Sequence, residues 1–409
     1  MVRRADRERT ALTDAAASQP QSQRFLLLYA LAVAGGAVSY VPFLTLLLPV
    51  RAGAMMGGEA IDLLAYIAFA GAIAASVGNI AFGWLSDRTG TRKPWIWAGL
   101  ILSASLLVSV SAVDEPLELV SIIVVWQLGL NMMLGPLAAW AGDVVPDRQK
   151  GLLGGLLSLA PALGAASGAL VTLPGLAGPD GRLALVAGLV AAMVLPVLLF
   201  GRPRAMPHLM QPKPAATGSE TPRPPSRLIA RMWCARLLVQ IAEAALFAYL
   251  LVWFMRIDPA FSDNDTARIF AVVLGLSVPL ALVAGRWSDS ANRPILPLGL
   301  SVAIGTTGLV IMGFATGLNM AIAGYVIFGL SSSVFLALHS SQTLRVLPKP
   351  ATRGRDLGLF NLTNTVPSLI MPWLTIALVP AFGFGALFLV LAVLCAIATI
   401  LLVTMPRPS

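Results

Sequence analysis

One acidic residue, Glu243, lies near the middle of a long apolar stretch of the sequence. Arg236 and Gln240 precede it by seven and three positions, so a helix would place all three side chains on one face. A carboxyl group in such surroundings can gain or lose a proton as its environment changes, which makes Glu243 a candidate for proton coupling, with Arg236 as its cationic neighbour. The alternative is a neutral, hydrogen-bonded Glu243 that packs one helix against another, with Arg236 reaching polar headgroups.

The sequence around these residues is that of a membrane protein. Hydrophobic residues make up 57% of the 409 positions and charged residues 11%, whereas charged residues form about a quarter of soluble domains. The basic residues lie between long apolar runs and form no stripe, so the net charge of +9 does not indicate a nucleic-acid partner. Cys234 and Cys395 lie in apolar runs without metal-ligand spacing, and we expect no metal and no cofactor.

Twelve apolar runs are long enough to cross a bilayer as helices, which takes about 20 residues each. We number them as spans 1 to 12, over residues 25–48, 62–85, 94–112, 117–141, 151–174, 183–201, 228–255, 266–287, 294–314, 318–341, 356–380 and 383–404. The predicted fold is an all-α membrane protein with 12 transmembrane helices in two pseudo-symmetric six-helix bundles. The predicted domains are an N-terminal tail (1–24), an N-terminal bundle (25–201), a linker (202–227), a C-terminal bundle (228–404) and a C-terminal tail (405–409).

The basic residues also predict an orientation. If the N-terminus is cytoplasmic, most of the 28 Lys and Arg residues lie on the cytoplasmic side, and the opposite side holds Arg51, Arg182, Arg256 and Arg268. By the positive-inside rule, both tails and the linker are then cytoplasmic. The short loops favour a multi-pass protein of a bacterial cytoplasmic (inner) membrane, with the lipid bilayer as a partner.

The two halves of the chain carry related sequences at matching places. Residues 83–94 (GWLSDRTGTRKP) close span 2, and residues 285–294 (GRWSDSANRP) close span 8. The distance along the sequence between Asp87 and Asp289 equals the distance between the two prolines that follow spans 4 and 10. A parallel duplication of six helices explains this common offset.

The segment that closes span 2 resembles the signature G-x-L-x-D-R-x-G-x-R-K of the major facilitator superfamily, and the twelve-span layout resembles that superfamily along the whole chain. The resemblance implies a secondary transporter that works by alternating access, has no enzymatic activity and acts as a monomer. It also implies a cytoplasmic gate, whose residues here are Asp87, Arg88, Gly90, Arg92 and Lys93, with Asp289 and Arg293 in the second copy. An aspartate at a helix end can bind the exposed N–H groups that begin a neighbouring helix, so we expect Asp87 to meet the start of span 11 and Asp289 the start of span 5.

In this superfamily, spans 1, 4, 7 and 10 line a central cavity, so polar residues near the middle of the membrane are candidate solute ligands. Besides Gln240, they are Tyr40, Gln127, Asn131, Asn361 and Asn364. Their amide and hydroxyl groups, with Trp126 and Trp253 nearby, suit a polyhydroxylated solute that both hydrogen-bonds and stacks. The alternative is that these groups join one helix to another.

These features predict a secondary active transporter, and three hypotheses remain for its role. The first is proton-coupled uptake of a sugar or similar polar solute, because residues 143–151 and 355–367 resemble the sugar:cation symporter branch of the superfamily. The second is proton-coupled export of amphipathic compounds or drugs, because Pro161, Gly164 and Gly168 resemble the antiporter motif of drug exporters. The third is a non-transporting receptor or assembly factor. The sequence contains no G-x-x-x-x-G-K-[ST] motif for ATP-driven pumping.

Overall fold

A computed structural model describes residues 20–146, 149, 152–153, 156–157, 159–206, 226–290, 295–346 and 353–405, without the side chains of residues 226–229, 288–290, 340–346 and 353–362. Every regular element in these residues is a helix. Nine helical stretches among them are long and apolar enough to cross a membrane. Two of these stretches each contain two predicted spans, and a shorter helix supplies the described part of span 5. The predicted twelve-helix fold is confirmed.

The helices follow the predicted spans and differ from them mainly at their ends. Span 1 consists of Gln23–Pro42, a π-helical turn Phe43–Leu47 and Leu48–Met56, and spans 2 to 6 are Ala60–Arg88, Lys93–Ser109, Pro116–Val144, Ala160–Val171 and Pro179–Phe200. Spans 7 to 10 are Ser226–Ile257, Asp263–Ser290, Leu296–Gly313 and Leu318–Val346, and Arg353–Val403 contains spans 11 and 12. Gly383, whose φ of 77° favours glycine, breaks this last stretch into its two spans. The limits of the tails and the linker stay predictions.

Several spans begin where the sequence supplies a residue suited to the first turn of a helix. Pro116 and Pro179 begin spans 4 and 6, where the missing N–H of proline would have no partner within the helix. The hydroxyl of Ser22 accepts a hydrogen bond of 3.2 Å from the N–H of Phe25 and caps the start of span 1. These local signals fix where the long apolar segments start.

Close backbone contacts hold neighbouring spans together within each half. A side chain at Gly99 would place its Cβ 2.3 Å from the backbone nitrogen of Met133, so spans 3 and 4 touch through their backbones. Gly308 of span 9 has the same relation to span 10, with a hypothetical Cβ 2.6 Å from the backbone nitrogen of Phe328. Small residues permit this approach in lipid, where helices are held together mainly by van der Waals packing.

Among the described residues, polar contacts between the two halves lie on one side of the molecule. We call the side on which span 1 begins the near side, and the other the far side. On the far side, the guanidinium of Arg182 in span 6 lies 2.5 Å from the carboxylate of Asp263 in span 8, and both side chains are mostly buried. The amide of Asn264 donates hydrogen bonds to the carbonyl of Ala169, at 2.8 Å, and to the hydroxyl of Thr172, at 3.0 Å. Polar contacts therefore join the halves across the far side.

Apolar contacts between the halves surround these polar ones. The ring of Phe69 in span 2 meets that of Trp373 in span 11 edge to face, with centroids 5.4 Å apart. Leu46, Leu251 and Ala267, from spans 1, 7 and 8, form a small buried cluster. The far side is closed by this combination of apolar packing and paired polar groups.

Candidate functional site

A cavity of about 1330 Å³ lies between the two halves. Residues of spans 1, 2, 4, 5, 7, 8, 10 and 11 line it, so neither half forms it alone, and the four spans expected to line it all do so. Its wall reaches Gly285 and Arg286, close to the near-side end of span 8. In the part of the chain that the structure describes, the halves are joined on the far side, so the cavity opens towards the near side in this conformation.

Span 1 enters the cavity wall through an irregular turn. After Pro42, which has no N–H to donate, the α-helix widens into the π-helical turn Phe43–Leu47. The hydroxyl of Thr45 binds the carbonyl of Val41 at 2.6 Å and so satisfies a polar group within the turn. Tyr40, just before the turn, lines the cavity. Single π-helical turns inside α-helices are often found at functional sites.

Glu243 and Gln240 line the cavity in the middle of span 7. Ser332 of span 10 also lines the cavity, and its hydroxyl donates to the carbonyl of Gly329 at 3.3 Å. The charge of Arg236 attracts the carboxyl group of Glu243. Among the residues that the structure describes, no other acidic side chain lines the cavity. Glu243 is thus the candidate proton-binding group of the cavity wall.

Arg236, Gln240 and Asn364 form a hydrogen-bonded group that connects spans 7 and 11. The Nε of Arg236 donates to the side-chain oxygen of Gln240 at 3.1 Å, and a terminal nitrogen of Arg236 donates to that of Asn364 at 3.4 Å. The amide nitrogen of Gln240 donates to the same Asn364 oxygen at 2.7 Å. The predicted polar face of span 7 therefore has a partner in span 11, whereas the side chain of Asn361 lies outside the described residues.

Of the other predicted cavity residues, Tyr40 and Gln127 line the cavity, but Asn131 does not. The amide nitrogen of Asn131 donates to the backbone carbonyl of Gln127 at 2.9 Å, and its oxygen accepts a hydrogen bond of 3.4 Å from Asn79 in span 2. Span 2 comes close enough to cover Asn131 because Gly78 faces it without a side chain. Asn131 therefore joins spans 4 and 2, which was the alternative reading of these amides.

The aromatic residues of the cavity wall differ from the predicted ones. Trp126 is buried against Phe43, with ring centroids 4.9 Å apart, and Trp253 stacks on Phe254, so neither tryptophan lines the cavity. The aromatic residues that line it are Tyr40, Phe247, Phe270, Tyr325 and Phe328. Sequence reasoning missed the phenylalanines because an apolar residue in a span carries no sign of whether it faces lipid, a helix or a cavity. The one sequence feature that indicated a cavity position for Phe247 was its place one helical turn after Glu243, on the same helical face.

The loop after span 2 is organised around Arg92. Its guanidinium lies 2.5 Å from the carboxylate of Asp87 and 2.8 Å from that of Asp143, at the end of span 4, and donates to the hydroxyl of Ser86 at 2.6 Å. Partial burial opposes the charge of Arg92, but hydrogen bonds and attraction from Asp143 and Asp87 raise its pKa above the ordinary value. Asp143, which the predicted gate did not include, therefore anchors the loop to span 4.

Two further residues of the predicted gate shape the same loop. The ammonium of Lys93 donates to the carbonyl of Gly201, at the end of span 6, at 2.8 Å, and lies 5.6 Å from the ring centroid of Trp140. Gly90 has a φ of 64°, a left-handed conformation that favours glycine and permits the tight turn into span 3. Within the N-terminal half, the loop is thus tied to spans 4 and 6.

The remaining gate residues make few described contacts. The guanidinium of Arg88 lies 5.6 Å from the ring centroid of Trp84 on the same helix. The side chain of Asp289 and the whole of Arg293 lie outside the described residues, as do the side chains at the start of span 11. The contact predicted between Asp87 and the start of span 11 therefore stays a prediction.

Comparisons with known proteins agree with this architecture. The sequence matches the model of the Major Facilitator Superfamily over residues 3–169, 60–349 and 232–409. Two relatives, both named uncharacterized MFS-type transporters, come from the CDC 1551 / Oshkosh and H37Rv strains of Mycobacterium tuberculosis; each is 25% identical over 322 residues, which cover 75% of this chain and 67% of the relative. The multidrug resistance protein MdtH of Aeromonas salmonicida is 26% identical over 284 residues, which cover 68% of this chain and 69% of that protein.

The fold is also similar to that of a solved structure. The crystal structure of a mutant of the nucleoside transporter NupG superposes with a TM-score of 0.69, covering 93% of this chain and 99% of that chain. The two sequences are 12% identical, so the likeness concerns the arrangement of the helices.

Proposed function

Since this chain belongs to the Major Facilitator Superfamily and is a transporter, not an enzyme, we propose that it couples a proton gradient to the export of an amphipathic solute. The observation that carries the proposal is the cavity between the halves, whose wall is mostly apolar but includes the carboxyl group of Glu243. An amphipathic solute can bury its apolar surface against such a wall and place its polar part at the carboxyl group. A relative named a multidrug resistance protein agrees with this class of solute.

Glu243 is the proposed proton-binding group. A charged carboxylate deep in the membrane is costly, and protonation removes that charge, so the free energies of the two conformations respond differently to the bound proton. Burial opposes the ionised form of Glu243 and the charge of Arg236 favours it, so the carboxyl group can exchange its proton while the cavity is open to the near side. The proton bound from the far side would then be released to the near side.

We infer that the near side is the cytoplasm. The inference rests on the excess of Lys and Arg in the tails, the linker and the near-side loops. In this orientation both termini are cytoplasmic, and the described conformation receives its solute from the cytoplasm, as an exporter requires. A bacterial inner membrane and a monomer remain the expected setting.

Proton-coupled uptake of a sugar-like or nucleoside-like solute is the second candidate. The amides of Gln127, Gln240 and Asn364 and the hydroxyl of Tyr40 line the cavity, and the structural neighbour NupG is a nucleoside transporter. Gln240 and Asn364 are hydrogen-bonded to each other, however, so a polar solute would have to exchange these bonds for its own. The apolar wall therefore favours the amphipathic solute.

Proton flux in liposomes tests the proposed coupling. We expect an amphipathic drug, added down its gradient to proteoliposomes that contain a pH-sensitive dye, to move protons through the wild-type protein. Glu243→Gln keeps a polar side chain of similar size and is expected to reduce that movement to the level of protein-free liposomes. The matched control is Glu118→Gln, at the exposed far-side start of span 4, which is expected to behave as wild type.

Each other outcome of this experiment has a clear meaning. Proton movement with sugars or nucleosides, but not with drugs, would select the second candidate. Wild-type proton movement in Glu243→Gln would reject this residue as the coupling group.

We expect Asp87→Ala to abolish transport while leaving expression close to normal. Asp87 is 63% exposed, and Arg92 keeps its ion pair with Asp143 after the substitution, so the fold loses little free energy. Transport depends on Asp87 in this proposal because the near side must close against the other half. Solute flux per protein is compared with that of Asp114→Ala, whose side chain is 96% exposed on the far side. Near-normal flux in Asp87→Ala would refute the gate role.

A further inference from the structure

We propose that the solute is a lipophilic cation whose charged centre binds the carboxylate of Glu243 among aromatic rings contributed by both halves. This inference rests on the proposed function and names its class of solute. It requires the aromatic faces, the carboxylate and the surrounding charges to favour a positive solute over a negative one of equal size.

Aromatic rings from the two halves face each other beside the carboxyl group. The ring of Tyr40 in span 1 lies 6.3 Å, centroid to centroid, from that of Phe247 in span 7, and both line the cavity. Phe247 follows Glu243 by one helical turn, so their side chains lie on the same face of span 7. The faces of aromatic rings carry negative charge density and attract a cation within about 6 Å of the ring centroid.

Span 10 and span 8 add the remaining rings. Tyr325 lines the cavity, is 3% exposed, and interacts electrostatically with Glu243, which places its ring in the field of that carboxyl group. Phe328, three positions further along span 10, and Phe270 of span 8 line the same cavity. A carboxylate among aromatic rings is the combination that recognises organic cations, whereas a hydrophobic anion would meet like charge.

The groups that face Glu243 leave it available to a solute cation. Arg236 on the same helix, Tyr325 of span 10 and Cys395 of span 12 interact electrostatically with Glu243, and Ser332 of span 10 lines the same cavity. The other charged residue of the cavity wall, Arg286, lies close to the near-side end of span 8. Arg236 lies about 10 Å nearer the near side along the helix axis, and it hydrogen-bonds with the side chains of Gln240 and Asn364.

One carboxylate cannot hold a proton and pair with a solute cation at the same time. When a cation displaces the proton, the O–H bond of Glu243 breaks, the proton passes to water, and the positive charge of the solute replaces that of the proton. One monovalent cation is then exchanged for one proton in each cycle, and no net charge crosses the membrane. A pH gradient therefore drives the exchange, and a membrane potential does not.

Two probes of opposite charge and nearly equal shape test the inference. Tetraphenylphosphonium is a cation and tetraphenylborate an anion, and equilibrium dialysis measures the binding of each to the purified full-length protein. We expect the wild-type protein to bind the cation at least about tenfold more tightly than the anion, with release of protons on binding. In Glu243→Gln, cation binding is expected to weaken at least about tenfold and proton release to vanish, while anion binding is unchanged or stronger.

A second variant tests the inference even if Glu243→Gln fails to fold. Phe247→Leu retains an apolar side chain but removes the aromatic face, and it is expected to weaken binding of the cation several-fold without weakening that of the anion. Equal binding of the two ions by wild type, or undiminished cation binding in Glu243→Gln, would overturn the inference. Proton movement that depends on Glu243 but occurs only with neutral amphiphiles would also overturn it and leave the proposed function standing. Absence of proton movement with every solute would reject the proposed function itself.

Discussion

A disulfide bond across the far side is expected to stop transport completely, and its reduction to restore it. A side chain at Gly168 of span 5 would place its Cβ 3.9 Å from that of Ala267 in span 8, within the range of about 3.5–4.5 Å that a disulfide requires. The new Cβ would lie 2.9 Å from a terminal methyl carbon of Leu46, which can rotate away. Gly168→Cys with Ala267→Cys, in a protein whose Cys234 and Cys395 are replaced by alanine, is the variant to make.

The reason for the large effect is that alternating access must separate these two spans. The far side is closed in the described conformation, so the disulfide would hold the cavity open to the near side and prevent any solute from crossing. Flux after treatment with an oxidant is compared with flux after added reductant, and each single-cysteine variant receives the same treatment. Unchanged flux in protein shown by mass spectrometry to be fully crosslinked would exclude far-side opening between spans 5 and 8.

The second large effect is expected from Gly99→Ala. A Cβ at this position would lie 2.3 Å from the backbone nitrogen of Met133, and backbone atoms cannot move aside as the end of a side chain can. Spans 3 and 4 would have to separate, at a cost of about 1–3 kcal/mol typical of overpacked interiors. Lower yield of monodisperse protein and a lower unfolding temperature in detergent would report this loss.

The matched control is Gly188→Ala in span 6. No atom outside its own helix lies within 4 Å of the Cβ that this substitution would add. We expect its unfolding temperature to equal or slightly exceed that of wild type, since alanine favours a helix over glycine by roughly 1 kcal/mol. If both variants lost the same stability, close contact between spans 3 and 4 would not be the cause.

The number and placement of the spans could be predicted because a helix that crosses a bilayer needs a long apolar run. The main difference lies in span 1, which was expected to end at Leu48 but continues as Leu48–Met56. Arg51 suggested a loop there. In the structure its guanidinium hydrogen-bonds with the carbonyls of Ser111 and Val113, so a helix can continue through a charged residue. Such long-range partners leave no mark in the local sequence.

The candidate site could be predicted only in part. Glu243 stood out because an isolated acid in an apolar run has few structural explanations. The spacing of Asn131 and Gln127 could not show which of them lines the cavity, because both lie on one face of span 4. Span 2 covers Asn131, and it comes close enough because Gly78 has no side chain. The periodicity of one helix shows which residues share a face, but not what packs against that face.

The contacts that close the far side could not be predicted from the sequence either. Arg182 was noted as one of the few basic residues on its side, which is a statement about topology. Its ion pair with Asp263 joins residues that are 81 positions apart and belong to different halves. A pairing of this kind depends on which helices meet, and a single sequence contains no periodic signal for it.

The π-helical turn in span 1 divides that helix into two parts that can change separately. A π-helical turn contains one residue more than the α-helical turn it replaces, and each residue of an α-helix rotates its successor by about 100°. Loss of one residue between Phe43 and Leu47 would therefore restore an α-helical turn instead of rotating one part of span 1 by 100°, and would leave Tyr40 at the cavity and Arg51 at its carbonyl partners. In an evolving lineage, the cavity part and the far-side part of span 1 could then change separately, because a codon lost at this turn is absorbed within the turn.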